Sequence, residues 1–345
     1  MTLPRSLDAA RPSPTFMAAA AVVAAGAAAA VAVHRAAREA ERRNPPIGRF
    51  IEVDGVRLHY AEWGEGEPVV LINGNGTMVQ DWALSGVVGV AAQQYRVIAI
   101  DRPGYGYSAR PRDRLWTARA QAALLARALA QLGVRRPVVV GHSWGALVAA
   151  ALGLDHPEAA RGLVLLSGYY YPTARSDVWF FSPPAIPVLG DLVRHTIAPP
   201  LTRLMAPGIM RKVFEPRPVP ARFSERFPLD LALRPISIKA SAEDSALMVP
   251  SAASLQDRYR TLAVPAAVLV GAQDGIITPE RQSGRLAGEL PDRDIEVLQG
   301  LGHMIHYDAQ HEIVAAIGRV MARAPASAPA SLGRASQEER RLHTL

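Results

Sequence analysis

The run Pro137-Val138-Val139-Val140-Gly141-His142-Ser143-Trp144-Gly145, followed by the apolar stretch Ala146 to Leu154, reads as a buried strand turning sharply into a helix, with a serine at the corner. A glycine on either side removes the Cβ atoms that would clash in so tight a turn. The hydroxyl is then left at a helix N-terminus, where backbone N–H groups stabilise negative charge, which is where a nucleophile would stand. A five-residue pattern with free positions also fits a plain Gly-Ser turn before an ordinary helix, so the rest of the chain has to decide.

Working outward, the pattern alternates strands and helices. Arg57 to Glu62, Val69 to Ile72 and Arg96 to Ile100 read as strands, with a turn at Gly64-Glu65-Gly66-Glu67-Pro68. Thr117 to Leu132 reads as a helix that Thr117 caps and Gly133 stops. After the serine corner come a strand at Leu163 to Leu166, another at Ala266 to Val270, a helix from Pro279 to Leu290, a strand at Ile295 to Leu298 and a last helix from Ile305 to Met321. This rhythm predicts an α/β fold: a mostly parallel sheet with helices on both faces. Between Gly168 and Ser254 prolines are so frequent that only short helices are expected, as in a mainly helical cap inserted over the sheet.

A serine hydroxyl needs a base to take its proton and a third group to orient that base. In an open α/β sheet such groups belong in loops at the carboxyl ends of the strands. Asp274 follows the strand ending at Val270 and precedes Gly275; taken alone it is equally a turn aspartate capping the next helix. His303, in Gly300-Leu301-Gly302-His303, follows the strand ending at Leu298; taken alone it is an ordinary surface or core histidine. The order Ser143, Asp274, His303, each after its own strand, is one known triad order. Attack on a carbonyl would also require two N–H donors for the oxyanion, one of them the backbone N–H of Trp144. His142 reads as structural. His306 has no acidic cluster at ligand spacing beside it, so no metal is assigned.

Over roughly Phe50 to Val320 the chain resembles the α/β-hydrolase fold superfamily. The resemblance runs through Gly141 to Gly145, Val268 to Gly275, Gly302-His303-Met304, and the loop Asp101-Arg102-Pro103-Gly104-Tyr105-Gly106-Tyr107-Ser108. It implies Ser143 as nucleophile, His303 as general base and then acid, and Asp274 as the carboxylate orienting His303, with no cofactor. It also implies the second oxyanion donor, the N–H of Asn75 in Asn73-Gly74-Asn75-Gly76, although the commoner family pattern has histidine where Asn73 stands. Related dehalogenases hold a halide with a tryptophan and an asparagine at the places of Trp144 and Asn75. Those enzymes attack alkyl carbon with a carboxylate, whereas a serine ether would give water no carbonyl to attack. The expectation is therefore a serine hydrolase cleaving an ester or related acyl bond, with an apolar or lipid-like small molecule as partner, as Tyr169, Tyr170, Tyr171, Trp179, Phe180 and Phe181 at the cap's mouth would suit. Carbon–carbon bond hydrolysis and haloperoxidase-like activity use the same triad in the family. A non-catalytic membrane-bound binding module is the reading from another class.

Composition bounds the rest. The 345 residues are 49% hydrophobic and 20% charged, as in a globular protein, and contain no cysteine, which excludes disulfides and thiolate chemistry. Much of the net charge of +7 lies in the flanking segments and no basic stripe is interleaved with aromatics, so nucleic acid is not an expected partner. Phe16 to Val33 is almost wholly alanine and valine and long enough to cross a bilayer; a cleaved signal with a site near Ala32 and a soluble alanine-rich helix are the alternatives. Arg35, Arg38, Arg42 and Arg43 after this stretch, against Arg5 and Arg11 before it, favour a single-pass membrane protein with a cytoplasmic catalytic domain. The expected organisation is an N-terminal segment 1–12, a transmembrane anchor 13–34, a linker 35–49, a first core portion 50–167, a cap 168–254, a second core portion 255–322 and a disordered tail 323–345.

Overall fold

The computed structural model describes residues 13–173, 181–291 and 294–324. Among these, β1 (Arg49–Val53), β2 (Val56–Trp63), β3 (Glu67–Ile72), β4 (Tyr95–Ile100), β5 (Val138–His142), β6 (Gly162–Leu166), β7 (Ala266–Gly271) and β8 (Asp294–Leu298) form one sheet, in the order β1-β2-β4-β3-β5-β6-β7-β8. β2 is antiparallel to both neighbours and the pairs from β4 to β8 are parallel. The helices are α1 (Pro14–Arg43), α2 (Val79–Ser85), α3 (Val87–Ala91), α4 (Ala118–Gln131), α5 (Trp144–Asp155), α6 (Leu189–His195), α7 (Ala198–Phe214), α8 (Ala221–Ser224), α9 (Leu229–Ala232), α10 (Pro235–Ala253), α11 (Arg285–Glu289) and α12 (Gln310–Arg323).

The period of two along each strand divides its side chains between two cores. Val70 and Ile72 join Leu125, Leu147 and Leu152 of α4 and α5 on one face, while Val69 and Leu71 join Trp82, Val87 and Ile317 of α2, α3 and α12 on the other. Strands covered on both faces need no polar side, which is why Val138-Val139-Val140 is uninterrupted. α5 is buried almost all round, from Trp144 to Gly153, and its apolar composition suits that position.

Several expectations are corrected. The cap helices are not all short: α7 has 17 residues with Pro207 inside it and α10 has 19 with Pro250 inside it. Both prolines face solvent, where water can meet the carbonyls that lose a partner, and Pro199, Pro200 and Pro235 stand in first turns that require no N–H. The final helix starts at Gln310 rather than Ile305. Before it, Ile305–Tyr307 is a separate 3-10 turn, because His306 and Tyr307 turn inward to Asp81, at 3.1 and 2.8 Å. Finally, Tyr169, Tyr170 and Tyr171 are buried rather than gathered at a mouth, the latter two edge-on against Tyr259 in the core. Trp179 and Phe180 lie outside the described residues, as do segment 1–12 and the tail from 325.

The expected linker at 35–49 is likewise mostly helix, since α1 runs unbroken to Arg43 and stops at Asn44-Pro45-Pro46. Ala36, Ala37 and Ala40 favour helix, and Glu39 pairs with Arg43 one turn on. α1 has the length and apolar composition of a membrane span, and its most apolar window contains no buried residue. Its C-terminal end is instead docked. Ala40 packs with Met78 and Leu231, Glu41 pairs with Arg234 at 2.7 Å, and the Tyr107 hydroxyl donates to the carbonyl of Asn44.

The loop after β4 is held by Asp101, which is fully buried and accepts from His59 Nδ1 at 2.6 Å and from the amides of Val79 and Tyr107 at 2.7 and 3.1 Å. Gly106, at φ 48°, lies so close that a Cβ would fall 1.8 Å from the Asp101 carboxylate. Replacing Asp101 leaves two buried donors and one part-buried donor unpaired. Asp101→Ala is expected to destabilise the protein by about 3 kcal/mol, seen as a lower urea midpoint with an unchanged slope.

Candidate active site

Ser143 sits one residue past β5 at φ 53° and ψ −115°, with its amide donating to the Leu166 carbonyl of β6 at 2.8 Å. The two glycines are required by contact. A Cβ on Gly141 would lie 2.3 Å from the Gly145 carbonyl oxygen, and one on Gly145 would lie 2.4 Å from that of Ile72. The corner therefore closes only with bare backbone on both sides.

The structure brings Ser143, His303 and Asp274 together from the carboxyl ends of β5, β8 and β7. His303 Nε2 is 3.0 Å from Ser143 Oγ, and its Nδ1 is 2.8 Å from Asp274 Oδ2. A carboxylate only accepts, so in the neutral ring Nδ1 carries the hydrogen and Nε2 is left to accept from the serine hydroxyl. The other oxygen of Asp274 accepts from the amides of Ile276 and Ile277 at 2.8 and 3.1 Å, so the turn-capping reading and the triad geometry hold at once. Asp274 and His303 are both buried, and Ser143 is partly exposed.

His142 lies behind the triad, donating from Nε2 to the His303 carbonyl at 3.0 Å and stacked at a tilt against the rings of His303 and His306. Burial first, and the neighbouring histidines second, hold its pKa well below the ordinary value, so it stays neutral. Among the described residues no His, Cys, Asp and Glu group could hold a metal ion.

The Trp144 N–H belongs to the first turn of α5, directly after the serine. Asn75 lies in the loop after β3, which runs against Ser143: a Cβ on Gly74 would be 3.3 Å from that of the serine. Arg102 holds this loop, donating to the carbonyls of Asn73 and Gly74 at 2.7 and 2.8 Å. A trans peptide sets its N–H opposite its C=O, so the Asn75 N–H points away from Arg102. Asn73, standing where histidine is commoner, ties the loop to itself by donating to the Gly74 and Thr77 carbonyls at 3.0 and 2.6 Å.

Sequence reasoning missed the buried carboxylate on the cap that joins this loop to α10. Asp244 accepts from Arg102, Arg110 and Tyr105 at 2.5, 3.0 and 2.8 Å. The Tyr105 hydroxyl also reaches Asn75 Oδ1 at 2.8 Å, and Asn75 Nδ2 reaches Ser245 Oγ at 3.1 Å and the Ser241 carbonyl at 3.3 Å. Burial and Asp244 raise the pKa of Tyr105, which stays a phenol. Arg102 and Tyr105 stood in the loop motif noted above, but no local signal marked Asp244 as their partner. The Asn75 carboxamide is thus engaged with the cap rather than free beside Trp144, whose indole is buried in the core.

The family model for the alpha/beta hydrolase fold matches residues 67–310. The chain is 29% identical over 299 residues to the 2-hydroxymuconate semialdehyde hydrolase of Pseudomonas sp. (strain CF600), spanning 84% of this chain and 99% of that protein. Its fold is similar to that of a thermophilic esterase from Thermogutta terrifontis, with a TM-score of 0.61 at 22% identity over 79% of this chain and 97% of that one. It is also similar to that of a membrane phospholipase A, with a TM-score of 0.60 at 22% identity over 89% and 96% of the two chains.

The depressed pKa of His142 has a consequence for stability. The unfolded chain takes a proton at this histidine near pH 6.5 and the native state refuses it, so stability is complete above about pH 6.5 and falls as the pH drops below it. Thermal melts from pH 7.5 to 5 are expected to show this decline, and His142→Gln, which keeps a donor for the His303 carbonyl but does not titrate, to flatten it.

Proposed function

Because the chain belongs to the α/β-hydrolase-fold family, we propose that it is a serine hydrolase cleaving an ester or related acyl bond of an apolar, lipid-like molecule. The hydrogen-bonded line from Ser143 through His303 to Asp274 carries this reading. Ser143 Oγ attacks the carbonyl carbon while His303 Nε2 takes its proton, and Asp274 stabilises the imidazolium. The N–H groups of Trp144 and Asn75 receive the oxyanion. His303 then gives the proton to the departing alkoxide, leaving an acyl group on Ser143. Water, deprotonated by His303, attacks that acyl group, and the proton returns to Ser143 Oγ as the acid leaves.

Two features support a neutral, apolar substrate. Arg102 and Arg110, buried between the loop after β3 and the cap, are both committed to Asp244, so neither is available to hold a substrate carboxylate. Beside the Asp274 loop, Tyr169, Ala252 and Ile277 form an apolar cluster with Met248 and Val249 of α10. Carbon–carbon bond hydrolysis is the second reading, favoured by the similarity to the semialdehyde hydrolase over nearly that protein's whole length.

Fluorophosphonate labelling separates catalysis from mere binding. Ser143 is expected to be labelled in the folded protein, and His303→Ala to abolish labelling and lower ester turnover by roughly 10⁴-fold or more. Unchanged labelling in His303→Ala would refute the mechanism. Across p-nitrophenyl esters, kcat/KM is expected to rise with acyl length; turnover of 2-hydroxymuconate semialdehyde in preference to every ester would establish the second reading instead.

The proposal includes α1 as an uncleaved single-pass anchor with the catalytic domain on the cytoplasmic side, supported by the arginines that follow the apolar run. Full-length protein is expected in the membrane fraction after alkaline carbonate washing. Recovery of a chain shortened at about Ala32 would show a signal peptide instead.

A further inference from the structure

The cap carries an apolar surface that neither the core nor the triad uses. Val188, Leu189, Leu192, Ile197, Leu201 and Leu204 are between 45% and 82% exposed. Leu189 and Leu192 are three apart on α6, and Ile197, Leu201 and Leu204 recur at i, i+4 and i+7 along α7, so each set shares a helix face. From Ser182 to Leu204 the acidic and basic side chains besides His195 are Asp191, Arg194 and Arg203, and all three are paired: Asp191 with Arg194 and with Arg112, and Arg203 with Asp230. Scattered exposed leucines need no explanation, but a set clustered on two consecutive helices does.

The position of α1 identifies what covers this surface. α1 packs against α6 and α9, and one groove is lined by Ala29, Ala32 and Val33 of α1 together with Thr196, Pro199 and Pro200 at the start of α7. The start of α7 therefore stands beside the end of the apolar run Phe16 to Val33, level with the point where that helix leaves the protein. Arg35, Arg38, Arg42 and Arg43 follow within about three turns, where a basic segment meets anionic headgroups.

We propose that the α6–α7 face of the cap is seated in the headgroup–acyl boundary of the same bilayer that α1 crosses, a second, monotopic contact beside the spanning helix. The proposal rests on reading α1 as an anchor. It goes beyond that reading, because a tethered domain could equally hang clear of the membrane. A lipid-like substrate would then meet the cap at the lipid surface rather than in bulk water.

The cysteine-free chain suits single-cysteine labelling. Full-length Val22→Cys, Leu192→Cys, Leu204→Cys and Glu158→Cys would carry an environment-sensitive nitrobenzoxadiazole label in mixed phosphatidylcholine and phosphatidylglycerol vesicles. Glu158, in the turn between α5 and β6, is exposed at the end of the sheet away from the triad and reports the aqueous side. Labels at Val22, Leu192 and Leu204 are expected to be quenched by acyl-chain nitroxide lipids and shielded from iodide, and the label at Glu158 to behave oppositely. Iodide quenching at Leu192 and Leu204, with Val22 still in lipid, would overturn the seating and leave the anchor standing. Shielding of the cap labels from both quenchers would overturn it in favour of a covering second copy. Iodide access at Val22 would overturn the anchor itself.

Discussion

The reactive geometry depends on a backbone that has no room for side chains. At the corner after β5 the chain passes so close to itself and to the end of β3 that two positions exclude any Cβ, and the serine between them sits in a left-handed conformation, which costs about 1–3 kcal/mol. What holds it there is the sheet on one side and α5 on the other. The Ser143 amide is bonded into β6, and α5, apolar on every face, is wedged between the sheet and α4. With the backbone so held, the hydroxyl lies 3.0 Å from His303 Nε2.

A second constraint joins the cap to the core. Buried charges cost more than their mutual attraction returns unless their remaining hydrogen-bonding capacity is filled. Around Asp244 it is filled on both sides: the carboxylate meets Arg102, Arg110, Tyr105 and Gln121, while Arg102 continues to the carbonyls of the loop that carries Asn75. Removal of Asp244 would leave the buried Arg102 without a carboxylate partner and Arg110 with Glu243 alone. The loop beside Ser143 and the cap helix α10 thus form one electrostatic unit, although they belong to parts of the chain 170 residues apart at Asn75 and Ser245.

Much of this was legible in the sequence because it is local. A strand buried on both faces announces itself by an unbroken β-branched run, and a tight strand-to-helix corner by its glycines. Asp274 and His303 stand out by their places after strands, and the fold sets them on one hydrogen-bonded line with Ser143. The features that escaped are those with long-range causes. Asp244 reads as one acid among others in a helix, and only the folded chain sets it against Arg102. The 3-10 turn before α12 exists because Asp81, far away in sequence, draws in His306 and Tyr307. Proline counting misjudged the cap because the effect of a proline depends on which way its helix face points. The charged stretch after Val33 is expected as a linker, whereas alanines at the right spacing let the helix continue to Arg43 and dock.

That continuity has a mechanical meaning. A helix of 30 residues is a rod about 45 Å long, and this one is clamped on the protein at its C-terminal end with no hinge before Arg43. A flexible tether would transmit position but not angle; a clamped rod transmits both. Whatever grips the free half of α1 therefore sets the tilt of the whole domain, and torque applied to the rod is delivered to α6, α9 and Arg234.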